Sequence, residues 1–131
     1  MAVTLSNVAN PLGTILVTDL NANGTAEEDT TTGGGTMYSV QINNSDATAI
    51  TYVKISDSTM GSTVSGTQIP DYVFFAAAGS TVTYAFPDGL AYANGLSFWA
   101  TSVKASQITN GGNAVAQTDP IGTVVVKILA T

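Results

Sequence analysis

The sequence contains no cysteine, no histidine and no arginine. Without cysteine there is no disulfide and no thiolate site. Without histidine the commonest general base and the commonest metal ligand are missing. Lys54, Lys104 and Lys127 are the only basic side chains, set against nine acidic ones for a net charge of −6. Binding phosphates needs basic groups, so nucleic acid is not an expected partner. An acidic surface is likewise poorly suited to anionic membranes, and no apolar run reaches the length of a membrane span. Charged residues make up only 9 % of the chain, where about a quarter is usual.

Thr, Ser, Gly, Ala and Asn take the place of the missing charge, and 44 % of residues are hydrophobic. Disordered acidic chains avoid aromatics and branched aliphatics, whereas this chain uses them throughout. Its 131 residues suit one domain. We expect an N-terminal arm or short strand over residues 1–10 and a single β-sandwich over 11–131. A surface so short of charge has little defence against association, so much of it is expected to be covered in an assembly. Met1-Ala2-Val3 has no basic flank and no long apolar run follows, which predicts no export signal and synthesis in a cytoplasm.

Polar and apolar residues alternate with the period of a half-buried strand over Met37–Asn43 and Thr81–Phe86. Asn44-Ser45-Asp46 supplies turn chemistry before the next strand, Ile50–Ser56, which with Met37–Asn43 reads as a hairpin. Leu12–Leu20, Gln68–Ala76, Leu96–Val103 and Ile121–Leu129 read as further strands. Pro87-Asp88-Gly89 is expected to break the chain after Phe86, and Asn94-Gly95 is a second turn signal. Val124-Val125-Val126 is too apolar for a strand with one wet face. It implies burial on both faces or pairing with another chain. Thr30–Thr36, containing three consecutive glycines, reads as a flexible connector. No helical period persists. The expected fold is all-β, an antiparallel β-sandwich of jelly-roll or Greek-key type with about seven or eight strands.

Candidate sites are few. Asp19, Asn21, Asn23 and Gly24 occupy positions 1, 3, 5 and 6 of a calcium-loop pattern, but position 12 is Thr30 rather than a bidentate glutamate. The competing reading is an acidic turn after a strand, and calcium is not expected to be needed for folding. Asp57, Asp71, Asp88 and Asp119 could supply a glycosidase pair only if two of them met across a cleft. Each falls at a strand end or turn, where aspartate serves local hydrogen bonding. No serine sits in a nucleophile elbow and no histidine could activate one, so an enzyme is not expected. Trp99, Tyr92, Tyr84 and Tyr72 could form a carbohydrate platform or fill a core. Val3, Leu5, Val8 and Pro11 are candidates for contact with another chain, because an apolar arm not tied into a domain needs cover.

The opening Gly79-Ser80-Thr81-Val82, the turn Phe86-Pro87-Asp88-Gly89-Leu90-Ala91 and the strand Asn94-Gly95-Leu96-Ser97-Phe98 follow Tyr52-Val53-Lys54-Ile55-Ser56-Asp57. In this order they resemble small structural proteins of tailed bacteriophages. The resemblance covers Met37 to Thr101 and the hydrophobic last strand. It implies a virion component, a capsid decoration or cement protein on the outer capsid surface that binds the major capsid protein lattice. The charge-poor surface, the apolar arm Val3 to Val8 and the final run Val124 to Leu129 lead us to expect a homo-oligomer seated on it. A tail or receptor-binding β-module recognising host-surface glycans is the alternative. The resemblance brings no catalytic residue and no cofactor.

Overall fold

The computed structural model describes residues 3–7, 14–28, 30–59, 69–104 and 116–131. Among the described residues eight strands account for the regular structure: β1 (Val3–Asn7), β2 (Ile15–Asp19), β3 (Gly35–Asn44), β4 (Thr51–Asp57), β5 (Tyr72–Ala76), β6 (Thr81–Tyr92), β7 (Leu96–Thr101) and β8 (Val124–Ala130). There is no helix among the described residues. The strands form two antiparallel sheets, one of five in the order β1-β2-β8-β3-β6 and one of three in the order β5-β4-β7. Four of the seven connections pass from one sheet to the other, so neither sheet is built from consecutive strands alone. The protein is a β-sandwich.

Three readings of the sequence change. Met37–Asn43 and Ile50–Ser56 are not a hairpin: β3 pairs with β6 and β8, and β4 pairs with β5 and β7. The connection between them crosses the sandwich, held by the buried Asn44. Its amide nitrogen donates to the carbonyls of Ala49 (2.8 Å) and Ala76 (3.2 Å). Asp46 then accepts from the backbone nitrogens of Thr48 and Ala49.

Pro87-Asp88-Gly89 does not end a strand either. β6 runs on to Tyr92 with a bulge, because its pairing jumps from Ala85 opposite Ser39 to Leu90 opposite Met37. Phe86 to Gly89 therefore face the single residue Tyr38. β6 is an outer strand of its sheet, the position where a residue without an N–H is tolerated.

The third change concerns Thr30–Thr36, which is not a free connector. Thr30 and Thr31 are buried, and the preceding segment is stitched along the free edge of β7. Glu27 and Phe98 exchange backbone hydrogen bonds of 2.8 and 3.0 Å, Thr30 N donates to Leu96 O, and Ala100 N donates to Asn23 O. The sequence shows a polar, glycine-rich loop but not the strand edge that orders it.

The core lies between the sheets, where alternate residues of each strand meet. Val17, Met37, Val40, Ile42, Val126 and Ile128 come from the large sheet, and Val53, Ile55, Leu96, Phe98 and Ala100 from the small one. β8, placed between β2 and β3, sends Val124, Val126, Ile128 and Ala130 inward and leaves Lys127 exposed. Its second row, Val125 and Leu129 with Lys127 between them, is thus the outer face of the large sheet. One side of the sandwich closes with aromatics. Phe74 of β5 packs on Tyr84 and Phe86 of β6, with centroids 5.0 and 5.7 Å apart. The other side closes with the segment laid along β7.

Candidate functional site

Asp19 ends β2 and Asn21 and Asn23 follow it, with the side-chain oxygens of Asp19 and Asn23 turned back onto the backbone. Asp19 Oδ1 accepts from Asn21 N at 2.9 Å, and Asn23 Oδ1 accepts from Thr25 N at 2.9 Å. These are turns in which the side chain stands in for backbone, and they occupy oxygens that a calcium loop would turn toward the ion. Asp19 is buried, and desolvation raises its pKa. Glu27 is raised as well, by its own burial and by the nearby Asp19 charge. Among the described residues, no three His, Cys, Asp or Glu side chains come together to hold a metal ion. A polar hollow of about 350 Å³ beside this turn is lined by Asn21, Asn23 and Asp119. Asp119 Oδ1 accepts from Gly24 N at 2.8 Å, tying the turn to the segment before β8.

Asp57 and Asp71 are also engaged with backbone. Asp57 accepts from the backbone nitrogens of Ala93 and Asn94, both at 2.8 Å, and so holds the turn between β6 and β7. Burial raises its pKa, but these donors, with Gly95 N and the Asn94 amide, outweigh it and leave the carboxyl below its ordinary value. Asp71 Oδ2 accepts from Asp57 N at 2.7 Å. Asp88 lies exposed in the β6 bulge.

Trp99 and Tyr92 do not form a sugar platform: both are buried. Trp99 lies on the outer face of the small sheet, opposite Lys54, and the segment before β8 covers it. Gln117 Oε1 accepts from Lys54 Nζ at 2.6 Å and from Trp99 Nε1 at 3.1 Å. Ser102 N donates to Thr118 O at 3.0 Å, holding the cover down. Lys54 has no exposed surface, and burial lowers its pKa to about 8. The sequence signalled none of this, because Lys54 occupies a polar position in an alternating strand and reads as solvated.

The exposed apolar residues are not scattered. Seven large ones occur among the described residues, and Ile50, Ile69, Val73 and Phe75 lie on β5 or on the ends of the segments leading into β4 and β5. Val73 and Phe75, 46 % and 51 % exposed, stand on the outer face, while Tyr72 and Phe74 turn inward. A hollow of about 250 Å³ at the Phe75 end is lined by Ile50, Tyr52, Phe75 and Lys104. Val73-Phe74-Phe75 is the most apolar stretch of β5, yet two of the three face solvent. Among the interface candidates, Val3 packs against the core and Leu5 is 49 % exposed on the inner face of β1, beyond the cover of the small sheet. Val8 and Pro11 lie outside the described residues. No protein-family model, curated protein or solved structure matches the chain.

Proposed function

We propose that this chain is a virion structural protein of a tailed bacteriophage. In this reading it is a decoration or cement protein, made in the host cytoplasm, that sits as a homo-oligomer on the outer surface of an assembled coat lattice. The sequence resemblance over Met37 to Thr101 suggests it. The observation that carries it is the placing of exposed apolar side chains at sheet margins, Leu5 on β1 and Val73 and Phe75 on β5, on a body with few charges to oppose contact. The action is mechanical and uses no catalytic group. A protein that binds assembled coat subunits and not free ones stabilises the shell by mass action.

The test is binding to shells that lack the protein. Purified chain should saturate them at many copies per particle and raise their resistance to heat. The variant lacking residues 1–10, if the β1 margin is used, should remain folded and bind at sharply reduced occupancy. Full occupancy after the deletion would remove β1 from the contact, and no binding by the intact chain would overturn the reading.

The glycan-binding alternative loses Trp99 and Tyr92 to burial. It would have to use Tyr52 and Phe75 beside Lys104. Copy number separates the two readings, since a tail module is present in far fewer copies than a shell protein.

A further inference from the structure

The two sheets have four margins, and they are not alike. The edge of β7 is covered by the chain before β3, through the backbone bonds of Asn23, Glu27 and Thr30. The edge of β6 contains Pro87 and a bulge, two devices that discourage further pairing. Among the described residues β1 and β5 remain uncovered, and β5 is the one with an apolar outer face. From Tyr72 to Ala76 it has no lysine, proline or bulge. The carbonyl of Phe75 points away from β4, because it accepts from the Tyr84 hydroxyl of the opposite sheet at 2.6 Å. Antiparallel strands alternate the direction of their backbone groups. The N–H and C=O of Val73 and Phe75 therefore face the open side, and the Phe75 oxygen keeps a second lone pair for a further donor.

We propose that β5 is a self-pairing edge: two copies of this chain join antiparallel about a twofold axis at Phe74, making one continuous six-stranded sheet from their two small sheets. The occupant is a second copy for three reasons. An open backbone edge is satisfied by another strand, and a twofold contact puts the same patch on both sides. Centring the axis on Phe74 sets Val73 of one chain opposite Phe75 of its partner, both with outward backbone groups, so the hydrogen-bonded pair falls where free donors and acceptors exist. The same axis runs the outer-face row Asp71, Val73, Phe75 against its own reverse. The exposed Asp71 carboxylate of one chain then arrives at the end of the other where Lys104 borders Phe75. The chain is −6 overall, yet at this margin opposite charges meet and the strand between them is uncharged.

The proposal shares Val73 and Phe75 with the lattice reading but requires no shell, so the two are tested apart. A short edge with its flanking patch is at the small end of specific contacts, which places the dissociation constant at roughly 1–100 µM. Sedimentation equilibrium on the full chain should show a dimer in that range. Phe75→Lys and Val73→Lys change exposed residues and should each weaken dimerisation at least about tenfold, with circular dichroism showing an intact fold. Lys104→Glu should also weaken it, and adding Asp71→Lys should restore it.

Register is read with cysteines, since the chain has none of its own. A mixture of Val73→Cys and Phe75→Cys chains should form mixed disulfides in preference to like pairs. If Asp71→Lys disturbs the fold through its bond to Asp57, the lysine variants at 73 and 75 and the cysteine mixture decide the matter alone. A monomer at about 500 µM, above the range expected of a specific contact, would overturn the proposal. So would a dimer indifferent to Phe75→Lys, or like-pair crosslinks favoured over mixed ones.

Discussion

Lys54 makes stability depend on pH on the alkaline side. Burial lowers its pKa from 10.5 to about 8 in the folded protein, while the unfolded chain keeps the proton to its ordinary value. Between those limits the unfolded state binds more protons, so stability rises with pH. Tyr92 acts in the opposite sense above about pH 10, because burial raises its pKa and the unfolded chain loses that proton first. The urea midpoint, followed by the fluorescence of the single tryptophan, should therefore climb from pH 8 to about 10 and then level off. Lys54→Met should flatten the climb while leaving Trp99 its bond to Gln117. A variant with the same slope as the parent would show that Lys54 is not its source. Asp57 works at the acid end. Its folded pKa lies below the unfolded value, so the stability it contributes is present above about pH 4 and is lost as pH falls through the folded pKa.

The closure of the β7 edge depends on two hydroxyls. Thr30 Oγ1 donates to Leu96 O at 2.8 Å and Leu96 N donates to Thr31 Oγ1 at 3.1 Å, both in buried surroundings. Thr31→Val keeps the shape and removes the acceptor, leaving the Leu96 N–H unpaired, which should cost about 1–3 kcal/mol in a urea titration. Gly89 performs a different task in the β6 bulge. Its φ is 76°, and a Cβ there would press on the Thr36 methyl and the Tyr38 ring. Gly89→Ala should destabilise by about 1–3 kcal/mol, with the loss read by thermal melting.

Alternation in Met37–Asn43 and Thr81–Phe86 announced strands because the period is local. It could not say which strand each would pair with, and a short polar turn after β3 reads the same whether the chain reverses within a sheet or crosses to the other. Pro87 looked like a terminator because its meaning depends on β6 being an outer strand, a property of the whole sheet. The β5 margin stayed hidden for a similar reason: apolar content shows that Val73 and Phe75 want cover, but only the register shows that the small sheet stops there.

As a whole the molecule is acidic with little cationic surface, since Lys54 is buried and only Lys104 and Lys127 are exposed among the basic residues. It should pass through immobilised single- or double-stranded DNA unretained at low salt, where phosphate binding is strongest. Retention that salt abolishes would contradict this. The position of β8 has a kinetic consequence. β8 follows the other seven strands in the chain yet lies between β2 and β3, with Leu129 paired to both Leu16 and Ser39. Until it arrives, those two strands have no common neighbour and the five-stranded sheet exists as two separate pairs. Refolding must close loops spanning most of the sequence before the central hydrogen bonds form, so it should be slow for a chain of this size, in the range of about milliseconds to seconds. While it waits, the unfilled gap is an unpaired edge on each side, and a free peptide spanning Val124–Ala130 should compete for it during refolding but not afterwards.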